Sequence, residues 1–115
     1  MGSQNYIETL RTIAVSASSN GANEIIPAPT EAGQFICIDL LAFIAAGAVD
    51  VTLKSATTSL SGAMTLAQNQ AVTLENAMGN DDGIITCAPG EAFNITLSAG
   101  VAINGIIRYR LKGGI

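Results

Sequence analysis

The fold is decided by residues 48–66, which read Ala-Val-Asp-Val-Thr-Leu-Lys-Ser-Ala-Thr-Thr-Ser-Leu-Ser-Gly-Ala-Met-Thr-Leu. From Val49 to Lys54 apolar and polar side chains alternate, and a run of small residues follows. Successive side chains of a β-strand point to opposite faces of its sheet, so this alternation is typical of a strand with one buried face. The small residues after it are typical of a turn.

The same alternation recurs at residues 72–75, 93–98 and 101–112. Turn sequences rich in Gly, Pro, Asn and Asp separate these segments, as at 80–83 and 88–91. Short strands separated by turns predict an all-β protein, and we expect an antiparallel, jelly-roll-like β-sandwich of eight or nine short strands. The pattern places these residues in its core: Val51, Leu53, Leu74, Phe93, Ile95, Leu97, Ile107 and Tyr109.

The N-terminal part of the chain divides after Thr12. Residues 1–12 show no clean period and are expected to form an arm or one loose helical turn, whereas residues 13–115 form the sandwich domain. Asn20-Gly21 is a dipeptide that tight hairpins favour, so a second strand is expected to return over residues 24–28. Pro27 and Pro29 end that strand, because proline cannot donate to a sheet ladder.

Residues 35–44 are apolar in both phases of the predicted strand. Composition alone would also allow a helix from Leu40 onward. The β-rich surroundings favour a strand that is covered on both sides. Such a strand is either central in the fold or lies at a subunit contact, so Ile38 and Leu40 are candidate contact residues.

The composition predicts contacts with other chains. Charged residues make up 12% of the 115 residues, against roughly 25% in an average soluble domain, and the mean hydropathy is +0.43. We therefore expect other chains to cover part of the apolar surface, in a dimer or trimer. The alternative is a monomer whose surface consists of Ser, Thr, Asn and Gly.

Net charge and hydropathy argue against two classes of partner. The net charge of −4 argues against nucleic-acid binding, which depends on Lys and Arg. The most apolar stretch, residues 35–48, is too short to span a bilayer and contains Asp39. No charged-then-apolar leader precedes the first residues. We expect a protein without a nucleic-acid or membrane partner.

The residues that usually carry out catalysis are scarce. The chain has no histidine, which excludes Ser-His-Asp and Cys-His catalysis and imidazole metal sites. Asn80, Asp81 and Asp82 could bind calcium weakly, but they lack the distant glutamate of a calcium loop, so a solvated turn is favoured. Cys37 and Cys87 are expected to be reduced and buried. We predict no enzyme, no catalytic residue, no metal and no cofactor.

The final alternating segment places Arg108, Arg110 and Lys112 on one face. These are three of the five basic residues, so an acidic chain has one local positive strip. The strip either binds acidic groups on a partner, where arginine makes paired hydrogen bonds to carboxylates, or it solubilises an edge strand.

Four segments carry a resemblance to a known family. They are Val-Asp-Val-Thr-Leu-Lys-Ser at 49–55, Leu-Ser-Gly-Ala-Met-Thr-Leu-Ala at 60–67, Ala-Pro-Gly-Glu-Ala-Phe-Asn-Ile-Thr-Leu-Ser-Ala at 88–99 and Gly-Ile-Ile-Arg-Tyr-Arg-Leu at 105–111. Over about residues 33–111 the chain resembles the small jelly-roll decoration or cement proteins of tailed-bacteriophage heads.

The resemblance implies a structural virion protein that binds the major capsid protein and stabilises the shell. It implies a place on the outer surface of the head, with the host cytoplasm as the site of assembly, and it transfers no catalytic residue. The alternative is a carbohydrate- or receptor-binding module of a phage fibre or tail. Sugar sites usually present an aromatic platform, and the aromatic residues here are Tyr6, Phe35, Phe43, Phe93 and Tyr109.

Overall fold

The computed structural model describes residues 10–79 and 81–113, which form ten β-strands and no helix. In chain order the strands are β1 (Arg11–Ala17), β2 (Gly21–Ile26), β3 (Gln34–Ala45), β4 (Val49–Ser55), β5 (Thr58–Ser59), β6 (Met64–Leu66), β7 (Ala71–Glu75), β8 (Ile85–Thr86), β9 (Phe93–Leu97) and β10 (Ile103–Gly113). The helix that composition allowed from Leu40 is absent, because that segment lies within β3.

The strands form two antiparallel five-stranded sheets. The first sheet has the order β1-β10-β3-β7, with β8 also paired to β3, and the second has the order β2-β9-β4-β5, with β6 also paired to β4. The first strand therefore pairs with the last and the second with the last but one. This nested order is jelly-roll-like. The predicted antiparallel sandwich is confirmed, with ten strands rather than eight or nine; β5 is only two residues long.

The connection after β1 differs from the predicted hairpin. Asn20 and Gly21 do form a turn, and Gly21 has a φ of +95°, but β1 pairs with β10 whereas β2 pairs with β9. The chain thus crosses from one sheet to the other at this turn. Arg11 and Thr12 belong to β1, so the first strand begins two residues earlier than predicted. The rest of the predicted arm, residues 1–9, lies outside the described residues.

A β-bulge in β3 explains why that strand is apolar in both phases. Arg108 pairs with Leu40 and Tyr109 pairs with Ile38, so Asp39 is the extra residue of the bulge. The alternation of core-facing residues shifts by one position at the bulge. Ile36 and Ile38 are buried before it, and Leu41, Phe43 and Ala45 are buried after it.

The core lies between the two sheets. Seven of the eight predicted core residues are buried, with relative exposures from 0% to 7%, and Leu74 is half-buried. Leu74 lies in β7, at the margin of the first sheet, which explains its partial exposure. At about 25 cal/mol per Å² of buried apolar surface, this continuous core is the main stabilising contribution to the fold.

Candidate interaction surface

The outer surface of the first sheet has an unusual composition. Four strands contribute three rows of outward side chains, which register places side by side. From β7 to β1 the rows are Ala71, Ile44, Asn104 and Ser16; Thr73, Ala42, Ile106 and Ala14; and Glu75, Leu40, Arg108 and Thr12. We call these twelve residues the apolar face, because their centre consists of aliphatic side chains.

Two large aliphatic side chains in this face are open to solvent. Ile44 is 44% exposed and Ile106 is 43% exposed. The half-buried Ala42 neighbours both of them, Ala14 is paired with Ile106 on β1, and the half-buried Leu40 lies in the next row. Single exposed apolar residues are ordinary on protein surfaces, whereas a contiguous group on a flat sheet is typical of a protein contact.

A polar cluster closes one end of the apolar face. The Arg110 guanidinium donates to both carboxylate oxygens of Asp39, with N–O distances of 2.7 and 3.1 Å. The Asn76 side-chain amide donates to the same carboxylate at 3.0 Å. Arg110 and Lys112 each donate to the Asp81 carbonyl oxygen at 2.9 Å. We call this cluster the clasp, because it ties the 76–83 loop to the first sheet.

The protonation of Asp39 reflects this environment. Burial acts to raise the pKa of Asp39, but the hydrogen bonds from Arg110 and Asn76 and the charge of Arg110 outweigh it. The pKa of Asp39 is therefore lowered from its ordinary value of 3.8. The clasp is an ion pair at neutral pH, with both side chains mostly shielded from water.

The two cysteines are both buried, as predicted, and their thiols are free. Cys87 belongs to the core between the sheets. Cys37 does not, and the charges that act on it come from the clasp side, from Lys112, Asp82 and Arg110. Burial raises the pKa of each thiol to about 11. Both side chains therefore contribute by packing rather than as nucleophiles.

The outer surface of the second sheet is polar. Its outward residues on β2, β9 and β4 are Ala22, Glu24, Asn94, Thr96, Asp50, Thr52 and Lys54. We call them the polar face. Thr, Asn and charged side chains form hydrogen bonds with water, so this surface is suited to solvent.

A cleft separates the sheets at the margin formed by β7 and β8 on one side and β5 and β6 on the other. It has a volume of about 410 Å³ and includes Leu60, Met64, Leu74, Ile84 and Ile85 in its lining. The cleft shows that the core is less tightly closed here than at the opposite margin, where β1 and β2 contact each other.

The structure separates the five candidate contact residues. Leu40 and Arg108 lie side by side in the apolar face, and Arg108 donates to the Thr12 hydroxyl at 3.4 Å. Arg110 and Lys112 belong to the clasp. Ile38 is 0% exposed and lies in the core, so it is unavailable to a partner of the folded chain.

The solubilising explanation of the basic strip is wrong in one respect. It required an edge strand, but β10 pairs with β1 on one side and with β3 on the other. The strip therefore lies in the middle of the first sheet, and two of its three cations bind the 76–83 loop.

Sequence reasoning missed the exposed isoleucines, although a signal was present. Ile106 stands in the polar phase of β10, between Asn104 and Arg108, and an apolar residue in a polar phase indicates a covered outer surface. Asp39, a lone charge within an apolar strand, similarly indicated the bulge and the clasp.

Other kinds of site find little support in the described residues. Residues 10–79 and 81–113 contain no group of three or more acids and cysteines that could hold a metal ion. None of the segments described is an apolar helix of membrane-spanning length. Phe43, Phe93 and Tyr109 are buried and Phe35 is half-buried. Tyr6 and Asn80, which sequence reasoning also considered, lie outside the described residues.

Comparison with known proteins gives no match to a family model, a curated protein or a solved structure.

Proposed function

We propose that this chain is a structural protein of a tailed-phage virion, which binds the major capsid protein and stabilises the shell from its outer surface. The observation that carries the proposal is the apolar face. An open sheet surface with exposed Ile44 and Ile106 favours a protein partner, since the largest apolar patch of a domain is often functional.

The architecture suits a mechanical role. Two packed sheets form a rigid body, and the nested strand order connects distant parts of the chain through sheet hydrogen bonds. A reinforcing protein needs only modest affinity at each contact. Many copies on one shell make each additional contact effectively intramolecular, which raises the overall strength of attachment.

This proposal keeps two of the five candidate contact residues. Leu40 and Arg108 remain, because both are part of the apolar face. Arg110 and Lys112 support the surface from within the chain, since the clasp fixes the loop beside it. The proposed action involves no catalysis, cofactor or nucleic acid.

Cosedimentation with undecorated phage heads tests the proposal. We expect wild-type protein to pellet with heads and to raise the temperature at which heads release their DNA. Leu40→Asp should weaken binding, because it places an unpaired charge in a desolvated contact. Arg108→Gln should weaken it less, and mainly at low salt, because exposed charges are screened over a Debye length of about 8 Å at physiological ionic strength.

Thr65→Asp provides the matched control. Thr65 is exposed on β6 of the second sheet, so this variant adds the same charge away from the apolar face. It should bind heads as the wild type does. Wild-type protein that fails to pellet with any tailed-phage head would contradict the proposal, and equal binding by Leu40→Asp and Thr65→Asp would exclude the apolar face from it.

A further inference from the structure

We infer that the apolar face binds a second copy of this chain, in a dimer whose two-fold axis lies between the two faces and runs perpendicular to the strands. The inference rests on the proposed function in treating this face as a protein contact. The two partners exclude each other, so the dimer is the state of the free protein and dissociates where the face binds a capsid subunit. Its basis is that the face is complementary to a second copy of itself in which the order of the three rows along the strands is reversed.

The outward residues of β3 show this self-complementarity. They are Leu40, Ala42 and Ile44, with the small residue in the central row and a large aliphatic residue on either side. A two-fold axis through the central row places Leu40 of each copy against Ile44 of the other. Ala42 then faces Ala42 of the partner copy, and the two strands approach closely.

The outward residues of β10 pair in the same way. Ile106 lies in the central row and faces Ile106 of the partner copy, so the two exposed isoleucines cover each other. Arg108 faces Asn104, whose side-chain carbonyl accepts hydrogen bonds from a guanidinium. Among the described residues Arg108 has only the Thr12 hydroxyl as a hydrogen-bond partner, so its other N–H groups are free for this contact.

The margins of the face agree with this arrangement. On β1, Thr12 faces Ser16 and Ala14 faces Ala14 of the partner copy. On β7, Glu75 faces Ala71, so no charged side chain of the face meets one of the same sign. Like charges placed directly opposite each other would weaken the contact.

The clasp selects the direction of the axis. The 76–83 loop follows Glu75, and Lys112 and Arg110 hold Asp81 above the surface of the sheet. An axis parallel to the strands would bring both loops, each with Asp81 and Asp82, to the same end of the contact. The perpendicular axis sends them to opposite ends, where each loop lies beyond the last row of the other copy.

The size of the face predicts a weak dimer. Four strands about 4.8 Å apart and three rows of side chains cover roughly 400 Å² on each copy. A standard interface buries about 800 Å² per partner, so we expect a dissociation constant in the micromolar range. Such a dimer forms readily wherever copies are concentrated.

Sedimentation equilibrium of the full chain tests the inference, from about 1 μM to about 1 mM. Wild-type protein should shift from monomer to dimer over this range. Ile106→Glu should weaken the dimer by at least about 100-fold, because two carboxylates would face each other in a desolvated contact. Thr65→Glu, on the second sheet, should dimerise as the wild type does. Thermal unfolding checks that each variant is folded.

Cysteine cross-linking tests the axis. Ile106→Cys should form a disulfide dimer by itself, because this residue faces its own copy. Ile44→Cys and Leu40→Cys should form a dimer mainly when the two variants are mixed. Wild-type protein serves as the control, since Cys37 and Cys87 are buried. Cross-linking of Ile106→Cys only with an Ala42→Cys variant would overturn the perpendicular axis.

The outcomes separate this inference from the proposed function. A wild-type chain that stays monomeric to about 1 mM but binds heads through Ile106 would overturn the dimer and leave the capsid role in place. A dimer that is lost in Ile106→Glu, from a protein that binds no heads, would support the dimer and contradict the capsid role. Equal dimerisation of Ile106→Glu and wild type would overturn the inference.

Discussion

The two outer surfaces of the sandwich differ, because β3 of the first sheet is apolar in both phases whereas β4 and β9 of the second alternate apolar and polar residues. The polar face presents Glu24, Asp50 and Thr52, whose polar groups suit that surface to solvent. The apolar face presents Ile44 and Ile106, each more than 40% exposed. A core between two sheets requires only one side of each strand to be apolar. The residues on the other side can therefore be polar and face water, or apolar and face a partner.

Charged side chains also have different roles on the two sheets. On the first sheet Asp39 and Arg110 bind each other and fix a loop, with the N–O distance at 2.7 Å. On the second sheet Glu24 and Lys54 lie in one row on either side of Asn94. The charged side chains beside the apolar face thus hold a loop in place, whereas those of the polar face lie on the solvent side of the second sheet.

The largest expected effect comes from comparing two residues of β3, Ile38 on the core side of the first sheet and Leu40 on its outer side. Ile38→Asp places an unpaired charge in the core and should destabilise the fold by more than about 4 kcal/mol, whereas Leu40→Asp on the apolar face should change the stability by no more than about 1 kcal/mol. Urea denaturation of both variants measures this. Similar losses for the two would mean that Leu40 is not on an outer surface.

The next effect concerns the core shared by both sheets. Phe93 is 0% exposed on β9, so Phe93→Ala should lower the free energy of unfolding by about 3–5 kcal/mol. Phe35→Ala is the matched control, because Phe35 is half-buried and its loss should be smaller. Chemical denaturation measures both losses. A loss below about 1 kcal/mol for Phe93→Ala would place Phe93 outside the core.

The clasp should give a smaller, pH-dependent effect. Asp39→Asn should destabilise the fold by about 1–2 kcal/mol at neutral pH, because Arg110 loses its ionic partner. The pKa of Asp39 is lower in the folded chain than its ordinary value of 3.8. The stabilisation is therefore present above that value and is lost as the pH falls through the folded pKa.

Thermal unfolding of wild type and Asp39→Asn between neutral and acidic pH measures this. The two stabilities should converge as the pH falls below about 4. A difference that is the same at every pH would show that the ion pair does not contribute. Thr52→Val on the polar face, which removes no charge, provides the control for a substitution away from the clasp.

The smallest effect probes the polar face. The Thr96 hydroxyl is buried and has no hydrogen-bond partner among the described residues. Thr96→Val removes this unpaired group while keeping the shape, so it should be neutral or stabilise the fold by up to about 1 kcal/mol. Thr52→Val, in the same row, is the control. A clear loss for Thr96→Val would indicate that a water molecule satisfies the hydroxyl.

Local sequence patterns predicted the fold class and most of the core. Val51, Leu53 and Phe93 were predictable because side-chain alternation is a local property, and the period of a strand is the same wherever the strand is placed. The burial of both cysteines was predicted as well. An apolar outer surface was also partly visible, because Ile106 interrupts a polar phase.

Strand pairing, register and the partners of the charged residues depend on contacts between distant parts of the chain and were not predictable. The bulge at Asp39 moves Ile38 into the core, and no local pattern fixes which residue of a strand is the extra one. The Asn20-Gly21 turn joins two sheets rather than one hairpin, since each flanking strand gains a ladder with a distant strand. Arg110 binds Asp39 across a separation of 71 residues, a contact that depends on the register of β10 against β3.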